Sequence, residues 1–181
     1  MRQPDDTGGT RTLDEIASLL EPQIPGLRRY AWALLRDDEA ADDLVQDTLE
    51  RAISRWHQRR QDGDVKAWLF TIQRSIFLNG LRQRRQRGLQ VGVETLDEIP
   101  ASDGAADGSA GLRDILSGLD ALPEEQRSVL LLVGVEDLSY EQAAQVLEVP
   151  IGTVMSRLSR AREKMRHFME SGRSAVLRRI K

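Results

Sequence analysis

The chain has 181 residues, a formal net charge of −3 and 30% charged side chains, an ordinary balance for a globular protein. Aromatic residues make up only 4% and cysteine is absent, which points to helical cores of Leu, Ala and Val and excludes disulfides and thiolate metal sites. The opening MRQPDDTGGT has no apolar core, and the longest nearly apolar run, VLLLVGV at 129–135, is far too short to cross a bilayer, so a soluble, cytoplasmic protein is expected.

Residues 1–11 offer nothing to bury and read as a disordered tail. From Thr12 to Arg87 the pattern is helical, broken at Pro22 and Pro25 and by the loop sequence QRRQDGD at 58–64. Between Asp38 and Trp56, the residues Ala41, Leu44, Val45, Thr48, Ala52 and Ile53 recur at three- and four-residue spacing and predict one buried stripe, with Asp43, Asp47 and Glu50 on the other side. No acidic residue occurs from Val65 to Val93, whereas Lys66, Arg74, Arg82, Arg84, Arg85 and Arg87 are basic, a run able to follow a phosphate backbone. Trp68 and Phe70 stand beside that run; they are expected mainly in the core, as are Trp32 and Trp56.

Residues 88–111 contain five Gly, one Pro, five acidic residues and no basic one, the composition of a flexible linker. As a coil, such a segment spans roughly 25–30 Å and stretches to about 80 Å, enough for two domains to dock at separate sites. Helical patterning resumes at Leu112. Pro123 and two Glu residues suit a helix N-terminus, Ser139 and Gln142 have capping-box spacing, and Pro150 opens the last long helix. The expected fold is all-α: two small helical domains, 12–87 and 112–170, joined by the flexible acidic linker 88–111 and followed by a basic tail, 171–181.

The segment VPIGTVMSRLSRAREKM at 149–165 follows a short helix and a tight turn, the order of a helix-turn-helix whose second helix enters the DNA major groove. At about 100° per residue, Val154, Leu158, Ala161, Met165 and Phe168 share one stripe and must pack inward. The opposite arc carries Gly152, Met155, Ser156, Ser159 and Arg160, with Thr153, Arg157 and Arg162 nearer its edges. Short polar groups flanked by Arg suit base edges at the centre of a groove and phosphates on its walls.

The segment LPEEQRSVLLLVGVEDLSYEQAAQVLEVPIGTVMSRLSRAREKM resembles the promoter-reading domain, region 4, of bacterial sigma-70 family sigma factors, specifically the extracytoplasmic-function (ECF) subfamily. DDEAADDLVQDTLERAI and KAWLFTIQRSIFLNGLRQRR independently resemble that group's region 2, and the likeness covers residues 24–87 and 112–168. The resemblance implies a dissociable RNA polymerase subunit that reads the minus-35 element with its second domain and melts the minus-10 element with its first. Carried over residue by residue, it implies minus-35 contacts from Thr153, Met155, Ser156, Arg157, Ser159, Arg160 and Arg162. It implies minus-10 contacts from Lys66, Trp68, Arg74, Ser75, Asn79 and Arg82, and docking on core RNA polymerase through Asp43, Gln46, Asp47 and Glu50. Promoter DNA, core polymerase and an anti-sigma factor are the implied partners; the acidic linker resembles the segment that threads toward the polymerase active centre.

Three positions depart from the family pattern. Glu148 stands where the turn commonly carries Gly, so a left-handed backbone there would cost around 1 kcal/mol. Met155 stands where Lys or Arg is frequent, and Ser75 where Asn is usual. A lone helix-turn-helix regulator that binds duplex without polymerase is the alternative reading. No Walker loop, metal constellation or partnered nucleophile is present and His57 and His167 are isolated, so neither catalysis nor a cofactor is expected.

Overall fold

The computed structural model describes residues 12–60, 63–90 and 110–179. Eight α-helices fill these segments: α1 Leu13–Leu20, α2 Ile24–Leu35, α3 Asp38–Ser54, α4 Val65–Gln90, α5 Ala110–Asp120, α6 Glu124–Gly134, α7 Tyr140–Leu147 and α8 Ile151–Arg179. Single 3-10 turns occupy Glu21–Gln23 and Trp56–Gln58, and no strand occurs among the described residues, as the all-α expectation requires. The expected tail at 1–11 and the central part of the expected linker, 91–109, lie outside the described residues.

Local chemistry sets the boundaries. Thr12 caps α1 through a capping box with Glu15, and Pro22 and Pro25 sit in the first turns of the 3-10 segment and of α2, where a missing N–H costs nothing. Arg36 closes α2 in the left-handed region at φ 55°, and the Asp37 carboxylate accepts from the Ala40 N–H at 2.9 Å to open α3. That two-residue connection folds α3 back against α2, and α4 packs on both. Leu27, Tyr30, Leu34, Leu69 and Phe70 are almost wholly buried between them, with Tyr30 and Phe70 edge to face at 5.4 Å.

Three expectations need correction. Ile53 is 45% exposed, because at 100° per residue it falls about 100° away from the stripe of Ala41, Leu44, Val45, Thr48 and Ala52, all of which are buried. The interval 88–111 is not linker at its two ends: α4 continues to Gln90 and α5 starts at Ala110, since Leu89 and Gln90 after Gly88 sustain a helix that one Gly only weakens. Residues 171–179 likewise continue α8, with no Pro to stop it.

The second group of helices is built around α8, which packs on α5, α6 and α7. Val129, Leu132, Ala143, Val146, Val154, Leu158 and Ala161 form its buried centre. Ser139 caps α7 with both halves of the box present, its hydroxyl accepting from the Gln142 N–H at 3.1 Å and the Gln142 side chain accepting from the Ser139 N–H at 2.7 Å. Glu148 ends α7 in the left-handed conformation at φ 54°, with its N–H on Gln145 and that of Val149 on Ala144, so a non-glycine residue does here what glycine does at lower cost. Because Glu148 is exposed, its replacement by Gly should stabilise the protein by about 1 kcal/mol, read as a higher denaturant midpoint at unchanged slope; a lower midpoint would refute the strain.

The two helical groups also touch each other. α6 packs on α2 and α7 on α4, so the domains sit together rather than apart. Their junction is polar: Tyr30, with one donor, points its hydroxyl at Ser128 Oγ of α6 at 3.2 Å, and Arg36 donates to Asp120 at 3.0 Å and to the Leu116 carbonyl at 3.0 Å. The Arg36 guanidinium lies 4.7 Å from the Trp32 ring centre, and its cation meets the carbonyl end of α5, a favourable match with the helix dipole.

Candidate nucleic-acid interface

The α7–turn–α8 unit presents the outward arc of α8 to solvent. Met155, Ser156, Ser159, Arg160 and Arg162 are exposed, whereas Thr153 and Arg157 are half-buried at the edges. Met155 is 52% exposed, which leaves an apolar group on the arc. Ser156 donates back to the Thr153 carbonyl at 3.1 Å, and Arg157 pairs with Glu125 of α6 at 2.6 Å. Arg160 and Arg162 have no ion pair among the described residues. An open groove of about 730 Å³ runs along this face, lined by Tyr140, Met155, Leu158, Ser159, Arg162, Arg166 and one carboxylate, Glu163. Tyr140 and Arg166 were not expected there: Tyr140 belongs to α7, beyond the reach of a count along one helix, whereas the same count carried one turn past Arg162 reaches Arg166. In the first turn of α7, the Glu141 carboxyl is held below the usual carboxylate range by its own backbone N–H and by the Ser139 hydroxyl.

On α4 the structure divides the expected minus-10 set in two. At 100° per residue Trp68, Ser75, Asn79 and Arg82 lie within about 60° of one another, and Ser75, Asn79 and Arg82 are exposed. Trp68 is half-buried against the edge of Trp56 at 5.7 Å, and Phe70 is fully buried, in keeping with their expected core role. Lys66 and Arg74 fall on another flank. Lys66 donates to the Glu136 carbonyl, and Arg74, only 8% exposed, donates to Glu124 at 2.7 Å and to Ser128 at 3.0 Å. Burial disfavours the Arg74 cation, but the neighbouring Tyr30 and Glu124 outweigh it and raise its pKa overall. Burial pushes the Tyr30 phenol up as well, which keeps it protonated and donating. The end of α7 overhangs the exposed stripe: Val146, Leu147 and Glu148 close a cavity of about 110 Å³ over Thr71, Arg74, Ser75, Leu78, Asn79 and Arg82.

On α3, Asp43, Gln46, Asp47 and Glu50 are all exposed, with Gln46 donating to Glu50 at 2.9 Å. Asp43 and Asp47 have no ion pair among the described residues, in contrast to neighbouring Asp42, which pairs with Arg28 at 2.7 Å. They rim a cavity of about 180 Å³ between α3 and α4 whose floor is Leu35, Leu44, Ile76, Phe77 and Leu81. No group of three His, Cys, Asp or Glu able to hold a metal occurs among the described residues, and no described helix is long and apolar enough to cross a membrane.

Residues 20–73 match the family described as the Sigma2 domain of PhyR, and residues 112–165 match Sigma-70, region 4. The ECF RNA polymerase sigma factor EcfG of Rhodopseudomonas palustris is 36% identical over 145 residues, 78% of each chain. The ECF RNA polymerase sigma factor SigC of Mycobacterium tuberculosis is 32% identical over 149 residues, covering 81% of this chain and 80% of its own. Among solved structures, the sigma factor RpoE in complex with the anti-sigma factor NepR from Bartonella quintana superposes with a TM-score of 0.73 at 34% identity, covering 87% of this chain and 98% of that one. With region 2 and region 4 found in order on an all-helical chain, and with relatives matched over most of their length, this protein belongs to the ECF subfamily of RNA polymerase sigma factors, which direct transcription initiation.

Proposed function

We propose that the chain is an alternative, stress- or signal-responsive sigma factor that acts in the cytoplasm without catalytic activity of its own. It engages core RNA polymerase through the acidic face of α3, reads the minus-35 element with Thr153, Met155, Ser156, Arg157, Ser159, Arg160 and Arg162, and holds the minus-10 element with Lys66, Trp68, Arg74, Ser75, Asn79 and Arg82. The observation that carries this reading is the outward arc of α8, exposed and cationic on a chain that is acidic overall. A basic helix face on an acidic protein favours a specific polyanionic contact over general adhesion to nucleic acid. An anti-sigma partner is part of the proposal, supported by the similarity to RpoE, which was solved with NepR.

The test is run-off transcription with core polymerase, with and without this protein, on promoters carrying single-base changes in the minus-35 element. Arg160 is exposed on the outward arc, where both its donors can meet a guanine edge, worth about 1–3 kcal/mol of discrimination. Arg160→Ala should therefore relax preference at one or two positions. Arg162→Ala, at the edge of the arc, should weaken every promoter alike and lower the salt dependence. A uniform loss for Arg160→Ala would refute its role in reading bases, and nanomolar sequence-specific binding of duplex by the free protein would favour a lone regulator instead.

A further inference from the structure

The loop between α6 and α7 carries a carboxylate that neither the fold nor DNA reading requires. Glu136 is only 1% exposed, and its side chain does not face its own domain. It meets Arg29 of α2 in a two-point ion pair, Nε to Oε1 at 3.0 Å and Nη2 to Oε2 at 2.9 Å. Its backbone carbonyl accepts from Lys66 of α4, so one residue grips two helices of the other domain. The loop is itself held firmly: the Glu136 N–H bonds the Leu131 carbonyl, the Leu138 N–H bonds the Leu132 carbonyl, and Asp137 between them is left-handed at φ 53°.

The receiving surface fits a carboxylate. α2 has no acidic residue in its first turn and no side-chain cap, so no carboxylate of that turn competes with Glu136 for the seat. Gly26 lies in that turn, and a Cβ there would stand 2.5 Å from Glu136 Oε2, so any larger residue at position 26 collides with the seated carboxylate. Beside this contact lies the second grip, in which Arg74 is shared by Glu124 and Ser128. Both grips use cations assigned above to the minus-10 element. While held by Glu124 and Ser128, Arg74 is only 8% exposed and so is closed to a phosphate, and the exposed stripe of α4 lies under the end of α7 while the grips are made.

We propose that Glu136 is a latch that holds region 4 over the minus-10 surface of α4, and that this surface opens to single-stranded DNA only when Glu136 leaves its seat at Gly26 and Arg29. The latch rests on the reading of α4 given above. It leaves the minus-35 arc free, since the outward face of α8 takes no part in the junction. Apparent affinity for a minus-10 strand is then the intrinsic affinity reduced by the fraction of open molecules.

Cysteine is absent from the sequence, so Ser18→Cys on α1 and Lys164→Cys on α8, both exposed, accept a donor and an acceptor dye with no background labelling. Two latch variants act by different means: Gly26→Ala fills the seat, and Glu136→Ala removes its occupant. Ala has the higher helix propensity, so Gly26→Ala does not weaken α2 itself. Each should lower energy transfer in the free full-length protein, at unchanged helix content by circular dichroism. Each should also tighten binding of a short fluorescein-labelled single-stranded oligonucleotide by about three- to tenfold. The double variant, in which the two side chains no longer collide, should open no further than Glu136→Ala alone. Unchanged transfer in both single variants overturns the latch, and opening without tighter oligonucleotide binding overturns its control of the minus-10 surface. Failure of the sigma-factor reading would appear separately, as absent transcription by the wild-type protein with core polymerase.

Discussion

Phe70→Ala is expected to destabilise region 2 by about 3–5 kcal/mol, the range for deleting a buried aromatic ring. Phe70 is fully buried, and its ring meets Tyr30 edge to face at an interplanar angle of 84°, so truncation loses both the transferred area and the ring contact. The cavity cannot close easily: Leu69 on the same helix and Leu27 and Leu34 across from it are themselves fully enclosed. Set against about 5–15 kcal/mol for a whole domain, this loss should lower the melting temperature by on the order of 10 °C. Thermal and urea unfolding followed by circular dichroism measure it. A loss under about 1 kcal/mol would show that Phe70 is not part of a packed core.

Asp43→Arg together with Asp47→Arg should abolish association with core polymerase while leaving the helices intact. Both carboxylates are exposed and unpaired among the described residues, so their reversal disturbs little inside the protein, within about 0.5 kcal/mol for surface positions of this kind. Against a basic partner the same change turns attraction into like-charge juxtaposition worth several kcal/mol, which lowers affinity at least about a hundredfold. Co-purification with core polymerase and transcription should fall together, at wild-type helix content. Retained co-purification would move the docking surface elsewhere, the nearest alternative being the apolar floor of Leu44, Ile76, Phe77 and Leu81 between the same two helices.

What the sequence made legible was what has a period or a cap. The stripe of Ala41, Leu44, Val45, Thr48 and Ala52, the inward row of Val154, Leu158 and Ala161, and the box of Ser139 with Gln142 are local patterns, and each lies where its spacing puts it. Ile53 failed because three- and four-residue spacing was followed one residue beyond the angle it allows. The helix ends at Gln90 and Ala110 were missed because glycine-rich composition marks where a helix is weak and not where it stops. The junction between the domains left no trace at all. Arg29, Glu136, Arg74 and Glu124 are single charges 50 to 107 residues apart within each pair, and each reads in isolation as part of a solvated face. Arg74 in particular entered the reading as a phosphate contact, and its burial against α6 became visible only in three dimensions.

The hydroxyl of Tyr30 belongs to the centre of one domain and Ser128 to α6 of the other, with Glu124 and Arg74 completing the chain of bonds. Two bodies joined only by a long tether melt independently, each with its own enthalpy and midpoint. Here neither can lose its packing without exposing the partner's buried dipoles, since loosening α2 uncovers Ser128 and loosening α6 strands Arg74. While the junction is closed each domain therefore stabilises the other, and calorimetry is expected to show two coupled transitions that move further apart in Glu136→Ala.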